Sequence, residues 1–187
     1  MVGHRQARRR RSADERRTLV LEAASLEFAA VGLGGATGES LSYRAEISHP
    51  YLLRLFGSKR ELFLAVVEHT FNELLDAVAE AAGSSAGNLA LPAAERAMAR
   101  SLEGSGGLAL VLQFFAACGD DQVRLVVRRR FAELHDALMR TSGDEEAEVA
   151  QFFARLLLRG AAEALRLPDV AGREAWARRL LTLATTP

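Results

Sequence analysis

The stretch ISHPYLLRLFGSKRELF, residues 47–63, decides how the rest of the chain is read. Ser48 is a helix-capping residue, and Pro50 falls in the first turn, where a missing backbone N–H costs nothing. Leu52, Leu55 and Phe56 lie at i, i+3 and i+4 and share one apolar face. The opposite face carries His49, Tyr51 and Arg54, all hydrogen-bond donors and none acidic. Gly57 ends this helix. Ser58 then caps a second one, with Glu61 as its capping-box partner. Lys59 stands at the start of that second helix, where the dipole already favours an anion. A short donor-rich helix followed by a cationic helix start suits a phosphate backbone and a major groove. From this stretch alone, an ordinary pair of amphipathic helices is the alternative.

Upstream, Thr37 can cap a short helix over 38–45, with Leu41 and Ala45 facing the core. Before it, Ser12 and Glu15 form a capping box for a helix running to Val31, with Leu19, Val20, Ala23, Ala24, Phe28 and Val31 as its buried face. Gly32, Gly34 and Gly35 break the chain there. The three helices make a unit over 13–58 with a tight turn between the last two, which is helix-turn-helix geometry with 48–55 as the recognition helix. Residues 1–12 include Arg5, Arg8, Arg9, Arg10 and Arg11, read either as a solvated tail or as a basic arm lying on phosphates.

Downstream, 59–82 reads as one long linking helix, with Leu62, Phe63, Val66, Val67, Thr70, Phe71, Leu74, Leu75 and Val78 on its apolar face. Five more helices are expected at about 91–103, 107–118, 120–141, 144–166 and 170–185, separated by glycine-rich or proline-containing breaks. About nine helices and no strand signal define an all-α chain, as does the Ala-, Leu-, Arg- and Glu-rich composition with only 4 prolines.

The formal net charge of zero is unevenly placed: residues 1–60 hold 11 Lys and Arg against 6 Asp and Glu, and the rest of the chain is acidic. One cysteine, Cys118, allows no intrachain disulfide. The apolar run LALVLQFFAAC, 108–118, is too short to span a bilayer, and no signal-peptide pattern opens the chain, so a cytoplasmic protein without a membrane partner is expected. His4, His49, His69 and His135 have no metal-ligand spacing, and no catalytic motif is present. Neither a metal, a cofactor nor an enzymatic activity is expected.

Over about 17–67 the chain resembles the tetracycline-repressor (TetR) family of bacterial one-component regulators. The resemblance lies in LVLEAASLEFAAVG (19–32), then Thr37, then the joint pattern of Ser48, Leu52, Phe56, Ser58 and Lys59. It implies contact with double-stranded DNA through Thr37, Arg44, Ser48, His49, Pro50, Tyr51, Arg54, Ser58 and Lys59. Thr37 and Lys59 would meet phosphates, and residues 48–51 would enter the major groove. Three positions depart from the family pattern. Leu53 stands where a phosphate-contacting tyrosine is usual, so either Tyr51 supplies the phenol or Leu53 packs. Glu46 replaces the turn glycine and must manage without an easy positive φ. Gly38 replaces an apolar residue and weakens its helix.

The resemblance further implies that 83–187 binds a small effector and forms a homodimer through its last two helices. Phe153, Leu157, Gly160, Ala161, Ala164, Trp176 and Leu180 are compatible with a four-helix contact across a two-fold axis. Two recognition helices about 34 Å apart would then read a palindrome. Gln113, Phe114, Cys118, Phe131, His135 and Phe152 are candidate pocket residues for a hydrophobic effector. The implied function is a ligand-responsive regulator, a repressor in its simplest form. The rival is a helical ligand-binding or interaction protein that has lost sequence-specific DNA binding, which Glu46 and Leu53 favour.

Overall fold

The computed structural model describes residues 13–84, 89–102, 106–143 and 145–185. The described residues form ten α-helices and no strand: α1 Ala13–Gly35, α2 Gly38–Arg44, α3 His49–Phe56, α4 Lys59–Ser84, α5 Ala90–Leu102, α6 Gly107–Ala116, α7 Asp121–Ser142, α8 Glu146–Ala164, α9 Leu167–Val170 and α10 Ala175–Thr185. The all-α expectation holds. The basic arm expected at 1–12 lies outside the described residues, and so does the Ser12 cap.

The helix expected at 170–185 begins later, as α10 at Ala175, and the proline-containing break before it holds the short helix α9, Leu167–Val170. Pro168 sits in the first turn of α9, after Arg166 has turned the backbone through φ 50°. The N–H groups of Arg173 and Glu174 both fold back to the Val170 carbonyl, and α10 starts afresh at Ala175.

Within α1 the helical path breaks at Gly32 (φ 68°, ψ 179°), the expected end. The backbone there favours glycine, and a side chain would put its Cβ 2.5 Å from Oε1 of Gln113 on α6, pushing the end of that side chain aside. Val20, Ala24 and Phe28 are buried as expected, but Leu19 and Val31 are 40% and 47% exposed. Leu21, Ser25 and Glu27 are buried instead. The buried face is rotated because α1 packs on two sides, against α4 and α6 and against α2. Over Glu15–Gly35 this helix has the length and apolarity of a membrane span; Val20, Leu21, Ala24 and Phe28 serve that packing, while Leu19, Leu26 and Val31 are exposed.

The core is continuous from α1 through α4 into the C-terminal half. Phe28 meets Phe63 edge-on at 4.9 Å, Phe63 meets Phe114 at 5.7 Å, and Phe114 stacks on Phe71 at 6.2 Å. Edge and offset ring pairs add to the burial of four fully enclosed aromatic side chains. α4 is therefore shared by both halves of the molecule, burying Leu62, Phe63, Val66, Val67, Phe71, Leu74 and Val78.

Two knots of charge fix the outer helices. Arg130 of α7, only 8% exposed, bonds Asn72 of α4 and Glu133 of its own helix, and its Nε lies 3.3 Å from Glu68 of α4. Glu95 of α5 lies between Arg155 and Arg159 of α8, at 3.3 and 3.4 Å. Charges this enclosed are retained only when paired.

Candidate nucleic-acid interface

Thr37 builds the entrance to α2. Its hydroxyl accepts the Ser40 N–H at 3.0 Å, and the Ser40 hydroxyl accepts the Thr37 N–H at 3.1 Å, a reciprocal box with serine in place of glutamate. Accepting leaves the Thr37 proton to donate outward. The turn that follows passes through Glu46 at φ 53°, so the residue at the usual glycine position adopts the left-handed conformation. Its carboxylate is exposed just before α3.

α3 hangs from Leu52 and Phe56, which are 1% and 7% exposed. Ser48 holds the N-cap position, but its hydroxyl makes no capping bond. Ser48, His49, Pro50, Leu53 and Arg54 are exposed and share the outer side of the motif, while Tyr51 is half-buried. The Arg54 guanidinium lies 4.8 Å from the Tyr51 ring centre, a cation–π distance that orients both. Leu53 is 41% exposed and does not pack away. Gly38 has a packing reason. A Cβ there would lie 2.3 Å from Nε2 of His49, so the glycine lets the His49 ring rest on the first turn of α2.

Two cations expected to meet DNA have partners within the chain. Arg44 bonds Glu27 of α1 at 2.8 Å. Hydrogen bonds from Ser40 and Arg44 hold the Glu27 carboxyl below its usual range despite its burial. Lys59 gives two of its three ammonium protons to the carbonyls of Leu33 and Ala36, each at 2.7 Å. It ties the start of α4 to the last residues of α1 and to Ala36 just after it. Ser58 caps α4 as expected, accepting the Glu61 N–H at 3.1 Å.

The sequence reading missed two residues. Tyr43, 88% exposed at the end of α2, is an open phenol on the same unit. Arg17 lies 4.2 Å over the Phe56 ring and donates to the Leu55 carbonyl, closing the C-terminal end of α3. Exposure is not written in local spacing, and the Arg17 contact spans 38 residues.

The residues expected at an effector pocket do not come together around one. Phe114 and Phe152 are fully buried in the core. The Cys118 thiol donates to the Phe114 carbonyl at 3.3 Å, and burial pushes its pKa up. Phe131 packs on Phe153 at 4.6 Å, and His135, 48% exposed in its side chain, stacks on the same ring. Gln113 faces Gly32. A cavity of about 650 Å³ opens elsewhere, between α1, α5, α6, α8, α9 and α10, and none of these six residues lines it.

Of the residues expected at a dimer face, Leu157 and Trp176 are each 47% exposed, Ala164 is exposed, and Phe153, Ala161 and Leu180 are half-buried. Leu165 and Leu183 add 64% and 61% exposed apolar side chains to the same region. Gly160 points the other way: a Cβ there would lie 3.3 Å from Leu108 of α6, so its smallness serves packing within the chain.

No family model and no curated protein matches this sequence. Its fold does match solved structures. A TetR-like transcriptional regulator from Rhodococcus sp. RHA1 is 21% identical, with a TM-score of 0.64 over 94% of this chain and 96% of that one. The TetR family transcriptional regulator PfmR from Thermus thermophilus is 18% identical, with a TM-score of 0.59 over 74% of this chain and 81% of that one. The chain thus has the all-α architecture of TetR-type regulators over most of its length.

Proposed function

We propose that the chain is a cytoplasmic transcriptional regulator of the TetR type, without enzymatic activity. It binds a palindromic DNA site as a homodimer and releases it when a small apolar effector binds. The observation that carries this reading is α3: two buried anchors seat it on the core, and His49, Pro50, Leu53 and Arg54 are exposed on its other side. Thr37, Ser48, Tyr43 and Tyr51 supply further donors around it. Residues 13–58 form the DNA-binding unit, α4 links, and 83–187 carries the effector site and the dimer face. Repression is the simplest sign, because a bound dimer blocks access to a promoter. An effector acts by binding one spacing of the two recognition helices more tightly than the other.

A second reading, a protein of this fold that no longer reads DNA, is favoured by charge. Residues 13–60 hold 6 Lys and Arg against 6 Asp and Glu, so the folded unit itself is neutral, and the five arginines of residues 1–12 supply the whole excess. Selection of duplexes from a random pool by the purified full chain, at ~150 mM salt to suppress unspecific phosphate binding, separates the two. An enriched palindrome with fixed half-site spacing supports the regulator. A folded dimer that enriches nothing supports the second reading.

A further inference from the structure

The cavity of about 650 Å³ has the size of a small-molecule site and is not among the residues singled out by the sequence. Its walls are chiefly aliphatic. Leu26 comes from α1, Leu102 from α5, Leu108 from α6 and Leu181 from α10. Two charged side chains reach it, Arg159 and Glu163, one turn apart on α8. Each is already engaged. Arg159 bonds Glu95 at 3.4 Å, and Glu163 accepts the Leu108 N–H at the start of α6, at 3.1 Å. Arg155, Glu95, Arg159 and Glu163 sum to zero charge around this wall. An incoming anion would meet the Glu163 carboxylate and would have to strip Arg159 from Glu95, whose side chain is 13% exposed. An incoming cation would have to displace Glu163 from the α6 terminus. The anion would face a carboxylate and give up one ion pair, and the cation would leave the Leu108 N–H without its acceptor, whereas an apolar molecule disturbs neither contact.

We propose that this cavity binds an uncharged, largely apolar small molecule, and that the occupant touches α1 of the DNA-binding unit directly. This deepens the effector reading above and rests on it for the consequence at DNA, not for binding itself. Leu26 is 38% exposed and belongs to the helix that carries Glu27, the partner of Arg44. An occupant therefore bears on α1 and on α8 and α10, the helices of the proposed dimer face, with no step through α4.

The test uses the purified full chain and Nile red, an uncharged apolar fluorophore, with decanol and decanoate as competitors. The expected result is saturable binding, displacement by decanol, and displacement by decanoate weaker by roughly tenfold or more. Leu26→Trp and Ala99→Phe each place a ring in the cavity from a different helix, and each should weaken Nile red binding by roughly tenfold. Circular dichroism identifies which variants fold, and either folded variant carries the test. Equal or better competition by decanoate overturns the ligand class. Undiminished Nile red binding in a folded variant overturns the site. Probe binding at the cavity by a chain that selects no DNA would overturn the regulator and leave this site standing; an enriched palindrome with no probe binding would overturn this site alone.

Discussion

Replacing Lys59 with methionine keeps the aliphatic stem and removes the ammonium. The resemblance to DNA-binding regulators assigns this residue to a phosphate, whereas the structure engages two of its protons on the Leu33 and Ala36 carbonyls at 2.7 Å. A hydrogen bond to a charged group contributes about 1.5–3 kcal/mol. Lys59 is half-buried, so part of the loss is returned by water reaching the two carbonyls. The expected net cost is about 2–4 kcal/mol of unfolding free energy, read by urea titration at neutral pH. DNA binding by the remaining folded protein is then measured against salt. A phosphate contact contributes ~0.9 to the slope of log K against log salt. Structural use of Lys59 predicts lower stability and an unchanged slope. Unchanged stability with a slope smaller by about one would refute the argument and return Lys59 to the DNA.

Glu46→Gly should stabilise the chain by about 0.5–1 kcal/mol in denaturant titration, because glycine adopts the φ of 53° without a Cβ penalty; a loss of stability would mean that the glutamate side chain is held by a contact worth more than the strain. Gly38→Ala should leave stability nearly unchanged but turn the exposed His49 ring aside, altering base preference at one operator position. His49→Ala added on top should then cost little more, whereas full additivity in the cycle would disconnect the two residues. Glu27 has a folded pKa below its usual value near 4.5. Its stabilising effect is therefore present above the unfolded pKa and is lost as pH falls through the folded one, so Glu27→Gln should be less stable than the parent at pH 7 and converge with it in acid; a pH-independent gap would contradict this. Leu157→Glu combined with Trp176→Glu should give a folded monomer by sedimentation, since both side chains are about half exposed; an intact dimer would move the interface elsewhere.

The parts of the fold legible in the sequence were those set by neighbouring residues. The Ser58 cap, the break at Gly57, the Thr37 cap, the end of α1 at Gly32 and the anchors Leu52 and Phe56 all follow from spacing within one or two turns. Glu46 was expected to manage without an easy positive φ, and it adopts φ 53° all the same. What escaped depends on contacts between distant segments. Nothing near Lys59 reveals that its ammonium ends at Ala36, and nothing near Gly38 reveals a ring lying on it. Phe114 and Phe152 looked like pocket walls because an aromatic side chain reads alike in a core and in a cavity; which one it lines is decided by how α6 and α8 are turned, and here they face the core. Gly160, expected at a dimer face, packs within the chain for the same reason. Smallness permits close approach on either side of a helix, and α6 occupies that side.

The knot around Arg130 limits how α4 can carry a signal. A slide of α4 by one turn, about 5.4 Å, would pull Glu68 and Asn72 away from a guanidinium that has almost no access to water. A tilt about the knot would not. From Glu68 to Lys59 is nine residues of helix, about 14 Å, and from Glu68 to Ser84 is sixteen, about 24 Å. In such a tilt α4 would act as a beam on an off-centre pivot, with its longer arm in the C-terminal half. A displacement there would reach the Lys59 end of α4 reduced to a little over half and reversed in direction. Moving the pivot along α4 would change that gearing without altering either end.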